Sequence, residues 1–174
     1  MRLRFVALVL LLGACTTEPG PATPRTAGSV DLQRYAGTWH EIARFPTAFQ
    51  DSSRVRCEGV TATYALRPDG RVDVVNRCRN ILDGGRERVA KGIAYSASPG
   101  NDRLRVSFFW PFYGDYWVIG LDPTYRWAVV GAPDRDYLWI LSRDVRMAPA
   151  DYAAAVAIAQ REGFDTRRLR PTNL

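Results

Sequence analysis

The chain has 174 residues, a length that allows one domain with short appendages. Its hydrophobic fraction of 47% and charged fraction of 24% are ordinary for globular proteins and exclude a wholly disordered chain. The net charge is +6, but the arginines do not cluster in a run, so we expect no nucleic-acid partner. Because only three cysteines and one histidine are available, we expect no metal site and no cofactor.

The N-terminal segment has the pattern of a processing signal. A short basic stretch precedes the apolar run Phe5–Leu12, which is too short to span a bilayer as a helix. The sequence Leu12-Gly13-Ala14-Cys15 resembles the bacterial lipobox. The resemblance implies that residues 1–14 are a cleaved signal peptide and that lipidated Cys15 anchors the protein in the bacterial outer membrane, at its periplasmic face or at the cell surface. The alternative is an ordinary signal peptide with a chance cysteine.

Residues 15–30 are predicted to join this anchor to the folded domain as a flexible tether. The segment Thr16–Ser29 contains three prolines and no aromatic or large apolar side chain. Such a segment buries too little apolar surface to offset the entropy lost on ordering. The folded domain is therefore expected to comprise residues 31–174.

Eight short β-rich runs follow, separated by turn sequences rich in Pro, Gly, Asp and Asn. Their spacing predicts an all-β antiparallel sandwich or barrel. A proline near the first turn and a following Gly163 predict one α-helix over Pro149–Glu162, packed on the outside. The predicted strands are Gly37–Phe45, Cys57–Leu66, Arg71–Cys78, Glu87–Ser96, Asp102–Trp110, Gly114–Leu121, Arg126–Ala132 and Asp136–Arg143.

Strand alternation divides these runs into an inner and an outer face. We expect Trp139, Phe108 and Thr63 to point inward, each with the residues two positions away on its strand. Small or hydroxylated residues then lie opposite large aromatic ones, a mixture that favours a lined cavity. The alternative is that the aromatic residues only fill the core.

Three segments together resemble the lipocalin family, and its bacterial outer-membrane, apolipoprotein D-like branch most closely. They are Gly37-Thr38-Trp39, Gly114-Asp115-Tyr116-Trp117 and the run Asp134–Arg143. The resemblance implies an eight-stranded antiparallel up-and-down β-barrel, a calyx, with the C-terminal helix outside. It also implies that Gly37, Trp39 and Arg143 close one end, the guanidinium lying on the indole.

The resemblance further implies a lipid-binding or transport protein with a fatty acid or lysophospholipid in the barrel, and homodimers occur in this branch. Trp139 and Thr63 match positions that line the pocket in the apolipoprotein D branch. The partners expected are thus a lipophilic small molecule and, through Cys15, a membrane. The predicted ligand-binding residues are Thr63, Val74, Asn76, Val106, Phe108, Trp110, Tyr116 and Trp139.

Cys57 and Cys78 are a departure from some bacterial members of this branch. They begin the second predicted strand and end the third, so antiparallel pairing would place them opposite one another. In an oxidising periplasm a disulfide is the expected outcome. The alternative is a pair of free thiols, one of them catalytic, as in the lipocalin type that isomerises prostaglandins.

The sequence contains none of the short catalytic motifs G-x-S-x-G, P-loop, G-x-G-x-x-G or H-E-x-x-H. The single histidine, His40, follows Trp39 on a strand and therefore points away from the lumen. We expect no enzymatic activity. The alternatives are a lipocalin-fold enzyme acting on a bound lipid, or a structural envelope lipoprotein with a filled barrel.

Overall fold

A continuous antiparallel sheet closes on itself in the computed structural model, which describes residues 22–173. The strands are β1 Gly37–Arg44, β2 Cys57–Leu66, β3 Val72–Asn80, β4 Arg86–Ser96, β5 Arg103–Phe109, β6 Phe112–Leu121, β7 Trp127–Gly131, β8 Leu138–Ser142 and β9 Arg170–Pro171. The order is β2-β3-β4-β5-β6-β7-β8-β1-β9, and β1 also pairs with β2. The predicted eight-stranded up-and-down barrel is confirmed.

Two α-helices accompany the barrel: α1, Leu32–Tyr35, and α2, Pro149–Arg161. Helix α2 starts with proline in its first turn and is followed by Gly163 at φ 84°. Its buried Ala155 and Ala159 pack on the outer face of the barrel, as predicted. No helix among residues 22–173 is long and apolar enough to cross a membrane.

The element β9 was not predicted, because two residues that include a proline give no periodic signal. Pro171 and Arg170 pair with Ala43 and Arg44 of β1. Thr172 donates its backbone N–H to the carbonyl of Ile42, and Gly59 of β2 donates to the carbonyl of Asn173. Residues 170–173 therefore bridge β1 and β2 at the end where these two strands separate.

Alternation divides the apolar side chains into an inner and an outer cluster. The inner cluster includes Trp39, Tyr64, Val74 and Leu141. The outer one lies beneath α2 and includes Phe45, Val129, Leu138, Ile140 and Phe164. A register shift in β1 between Glu41 and Ala43 reverses the alternation there. Ala43 consequently faces α2, and Arg44 pairs with inward-facing Trp139.

Residues 22–30 lie along the barrel, which differs from the expected tether. Pro24 is fully buried, and Arg25 forms a 3.1 Å ion pair with Glu162. The backbone N–H of Ala27 donates to the carbonyl of Val118. Burial of Pro24 and of Val30, which joins the inner apolar cluster, together with these polar contacts therefore orders the segment against the domain. The predictions for residues 1–21, including the signal peptide and Cys15, lie outside the described residues.

The two ends of the barrel differ. At the closed end lie α1 and the turns 67–71, 97–102 and 122–126. The other end, called the mouth below, is surrounded by the loop 45–56, the β3–β4 turn 81–85, the β5–β6 turn and the loop 132–137. The lumen between them is the predicted binding site.

Candidate functional site

The closed end is built around Trp39 and Arg143. The guanidinium carbon of Arg143 lies 3.9 Å from the Trp39 ring centroid, and the guanidinium donates to the carbonyls of Thr38, Arg34 and Ala36. Desolvation by burial lowers the pKa of Arg143 from its ordinary value. The structure therefore brings the predicted cation–π pair together beneath the lumen.

Gly37 is required beside this pair. Its φ is 95°, and a Cβ atom there would lie 3.2 Å from Nη1 of Arg143. A side chain would be strained by the backbone conformation and would also press on the guanidinium. The three residues predicted to close the barrel thus form one arrangement.

Three tyrosine hydroxyls form the polar part of the lumen floor. The hydroxyl of Tyr116 shares hydrogen bonds with those of Tyr35, at 2.8 Å, and Tyr64, at 2.9 Å. Burial raises the pKa of Tyr64 to about 12 and the pKa values of Tyr35 and Tyr116 well above their ordinary value. The hydroxyls are therefore neutral at physiological pH, and the floor is polar but uncharged.

Apolar and aromatic side chains line the wall. Strand register places Val74, Val106 and Phe108 on the inner face, together with Tyr116 and Trp139. Apart from buried Val74, these side chains remain partly accessible although they face into a closed barrel. Solvent-sized space therefore remains in the lumen.

Gly92 and Asn76 modify this wall. A Cβ atom on Gly92 would lie 2.8 Å from the ring of Phe108, so the ring lies directly over the glycine, on the wall between β4 and β5. The side chain of Asn76 also faces inward, and its buried Oδ1 has no hydrogen-bond partner within the described residues. Such an atom is costly unless a ligand or water reaches it.

Two of the predicted lining residues lie elsewhere. Thr63 is on the outer face, where its hydroxyl shares a 3.0 Å hydrogen bond with that of Thr38. The inward residues of β2 are instead Ala62 and Tyr64. Small residues occur on both faces of β2, so alternation alone could not determine its orientation. Trp110 follows the end of β5 and is 83% exposed at the mouth.

The loop 45–56 lies across part of the mouth. Buried Gln50 accepts a 3.2 Å hydrogen bond from Nε1 of Trp139 and donates a 2.8 Å bond to Glu41. Tyr137 stacks between Trp139 and Phe49, with centroid distances of 5.8 Å and 6.4 Å. The loop is therefore attached to the lumen wall through one amide and one aromatic stack.

A buried charge cluster supports this loop. Arg44 is fully buried, and its guanidinium bonds Glu41 at 2.6 Å, Asp51 at 2.7 Å and the carbonyl of Cys57 at 2.9 Å. Arg170 extends the cluster by bonding both Asp51 and Glu58. Sequence alternation missed this cluster because the β1 register shift is what turns Arg44 inward.

Cys57 and Cys78, which lie 21 positions apart in the sequence, form the predicted disulfide. The bond is buried with Val60 between β2 and β3, near the mouth. It joins two strands whose register is shifted between Glu58 and Thr61.

Other potential sites lie outside the lumen. Within residues 22–173, no group of three His, Cys, Asp or Glu side chains is arranged to hold a metal ion. His40 pairs with Thr61 and Ser142 on the outer face. A shallow surface concavity of about 480 Å³ lies between the end of α2 and residues 165–167.

Comparison with known proteins identifies the fold family. Residues 30–173 match the model of the lipocalin-like domain. The chain is 45% identical to the outer membrane lipoprotein Blc of Escherichia coli strain K12, over 91% of this chain and 87% of that protein. It is 27% identical to apolipoprotein D of Macaca fascicularis, over 93% and 83% of the two chains.

A solved structure shares the fold at low sequence identity. The insecticyanin of the tobacco hornworm Manduca sexta superposes with a TM-score of 0.68, covering 87% of this chain and 84% of that chain, at 17% identity. The family match, the closed barrel and the Arg143–Trp39 closure agree, and the chain belongs to the lipocalin family.

Proposed function

We propose that the protein is a lipid-anchored lipocalin of the bacterial outer membrane that holds one hydrocarbon chain, of a fatty acid or a lysophospholipid, in its barrel. The name of the Escherichia coli relative supports the location, and the Leu12–Cys15 motif supports an anchor on Cys15. The observation that carries the proposal is the lumen itself, whose inward aromatic side chains remain accessible above an uncharged floor.

The wall provides the affinity through the hydrophobic effect. Moving a chain of about fourteen methylene groups out of water gains roughly 11 kcal/mol before costs. Association and chain ordering remove several kcal/mol or more of this. With the smallest such cost, about 4 kcal/mol, roughly 7 kcal/mol remains, which corresponds to a Kd of about 10 μM without a specific hydrogen bond.

The charges favour a head group at the mouth. The inward-facing ionic side chains Glu41 and Arg44 are bonded to each other, and the floor hydroxyls of Tyr35 and Tyr64 are bonded to Tyr116. A carboxylate or phosphate deep in the lumen would therefore lack a free cationic partner among the described residues. We infer that the hydrocarbon tail enters first and that the polar end stays near the mouth.

A short-range quenching titration tests the lumen. Dibromostearic acid is added to delipidated protein, and tryptophan emission is followed. We expect saturable quenching that excess oleic acid or lysophospholipid reverses and that Trp139→Phe largely abolishes. Trp117→Phe is the matched control, because Trp117 pairs with Arg103 on the outer face and should leave the quenching intact. No quenching by any lipid of a broad panel would refute binding.

The anchor is tested separately. Cys15→Ala, compared with wild type in a bacterial host, should move the protein from the membrane fraction to the soluble fraction or block its processing. Mass spectrometry of the wild-type protein should find a lipid-modified N-terminus at Cys15. An unmodified cysteine in a mature, soluble wild-type protein would refute the anchor.

A further inference from the structure

Exposed apolar side chains gather at one end of the barrel. Ten large hydrophobic side chains are exposed in the described part of the chain, and seven of them surround the mouth. Phe109, Trp110 and Phe112 on the β5–β6 turn are 81%, 83% and 78% exposed. We call the following six residues the apolar collar: Phe49, Ile81, Leu82, Phe109, Trp110 and Phe112. A concentration of this kind marks an interaction surface.

The N-terminal segment arrives at the same end. Arg135 lies in the mouth loop 132–137 and donates to the carbonyl of Ala22. Six residues separate Ala22 from Cys15 in the sequence. Because each residue spans at most about 3.6 Å, the Cα atom of Cys15 cannot lie more than roughly 25 Å from that of Ala22. An anchor on Cys15 would therefore hold the mouth close to the membrane.

The charge beside the collar suits an anionic surface. Arg54, Arg56, Arg79 and Arg88 are exposed around the loop 45–56 and the β3–β4 hairpin, and none has a carboxylate within ion-pair distance in residues 22–173. Unpaired basic side chains next to exposed Trp and Phe are typical of surfaces that bind anionic lipid head groups.

We propose that the mouth faces the bilayer and that the apolar collar enters the boundary between its head groups and acyl chains. The occupant is an anionic phospholipid surface, and the direction of approach rests on the proposed anchor at Cys15. Tryptophan and phenylalanine are favoured at this depth of a membrane. The lumen then opens directly onto lipid, so that a hydrocarbon tail passes between bilayer and barrel without crossing water.

Bromolipid quenching of Trp110 tests this orientation. The full lipoprotein is reconstituted into vesicles of phosphatidylethanolamine and phosphatidylglycerol, with or without a phosphatidylcholine brominated near the head-group end of one acyl chain. We expect the brominated lipid to quench wild-type emission, and Trp110→Phe to lose most of that quenching. The control adds Val145→Trp to the Trp110→Phe variant, because Val145 is 47% exposed near the closed end. This reporter should stay unquenched.

The outcomes separate orientation from lumen binding. A brominated lipid inside the lumen would quench Trp139, an effect that persists in Trp110→Phe and is reversed by oleic acid. If Trp110 is quenched but this quenching of Trp139 is absent, the proposed lipid binding fails while the proposed orientation stands. Three results overturn the orientation. The first is Trp110 emission that aqueous iodide quenches and brominated lipid does not. The second is Trp110 emission that neither reagent quenches in a protein that cross-links as a dimer, and the third is quenching of the Val145→Trp reporter by brominated lipid.

Discussion

Removing Arg44 should destabilise the protein far more than removing an exposed arginine. Arg44 and Arg170 share their buried cluster with three carboxylates, those of Glu41, Asp51 and Glu58. The formal charge of this cluster is therefore −1, and Arg44→Met changes it to −2. The substitution also removes the hydrogen bond to the carbonyl of Cys57. Breaking a buried ion pair in this way costs about 3–5 kcal/mol.

A double variant tests whether charge is the cause. Glu41→Gln combined with Arg44→Met returns the cluster to a formal charge of −1 and keeps hydrogen-bonding atoms beside Gln50 and Thr172. We expect the double variant to be more stable than Arg44→Met alone by about 1–2 kcal/mol, since an unpaired buried carboxylate is the larger penalty.

The assay is guanidinium unfolding with the disulfide intact, followed by tryptophan emission and circular dichroism. Arg71→Met is the matched control, because Arg71 pairs with Asp69 on the surface and both side chains are about half exposed. Its unfolding midpoint should not move. The reasoning fails if Arg44→Met costs less than about 1 kcal/mol, or if the double variant is no more stable than the single one.

Three further predictions concern the disulfide, the floor and the closed end. Replacing Cys57 and Cys78 together by alanine should lower the free energy of unfolding by about 3 kcal/mol, because a 21-residue separation is released in the unfolded chain, and an unchanged denaturation midpoint would contradict this. Tyr64 ionises near pH 10 when unfolded but at about 12 when folded, so its contribution to stability is present below pH 10 and is lost as pH rises towards 12. Between pH 10 and 12, the free energy of unfolding of Tyr64→Phe should fall with pH less steeply than that of wild type, by about 1.4 kcal/mol per pH unit. An identical slope for the two proteins would refute the assignment. Arg143→Leu removes the contact with Trp39 and several carbonyl bonds, and should cost about 2 kcal/mol in thermal or denaturant unfolding. Arg143→Lys should restore only part of this lost stability. Full restoration would show that the several N–H donors of the guanidinium are not needed.

The strands and the closed end were accessible from sequence because their signals are local. β2 was predicted at its observed bounds, Cys57–Leu66, and the turn sequences between runs identified the other strands to within a few residues. The Gly37-x-Trp39 motif and Arg143 identified the closure through family resemblance. The Cys57–Cys78 bond followed from antiparallel pairing of adjacent strands.

Other parts of the site depend on events that periodicity does not record. The register shift after Glu41 turns Arg44 inward, and no residue in β1 indicates from the sequence that the shift occurs. On β2 the observed inward residues are one position away from the predicted ones, so Tyr64 and not Thr63 faces the lumen. Trp110 has the right parity for the inner face, but β5 ends before it. In each case tertiary geometry, and not local alternation, decides whether the side chain enters the lumen.

The bridging position of residues 170–173 has a consequence for biosynthesis. Asn173 and Thr172 reach the backbones of Gly59 and Ile42, segments made more than a hundred positions earlier. The ribosome releases the chain from its N-terminal side. The hydrogen bonds that residues 170–173 make with β1 and β2 therefore cannot form until residue 173 has emerged. Contacts between these distant segments are therefore among the last backbone hydrogen bonds that a growing chain can form.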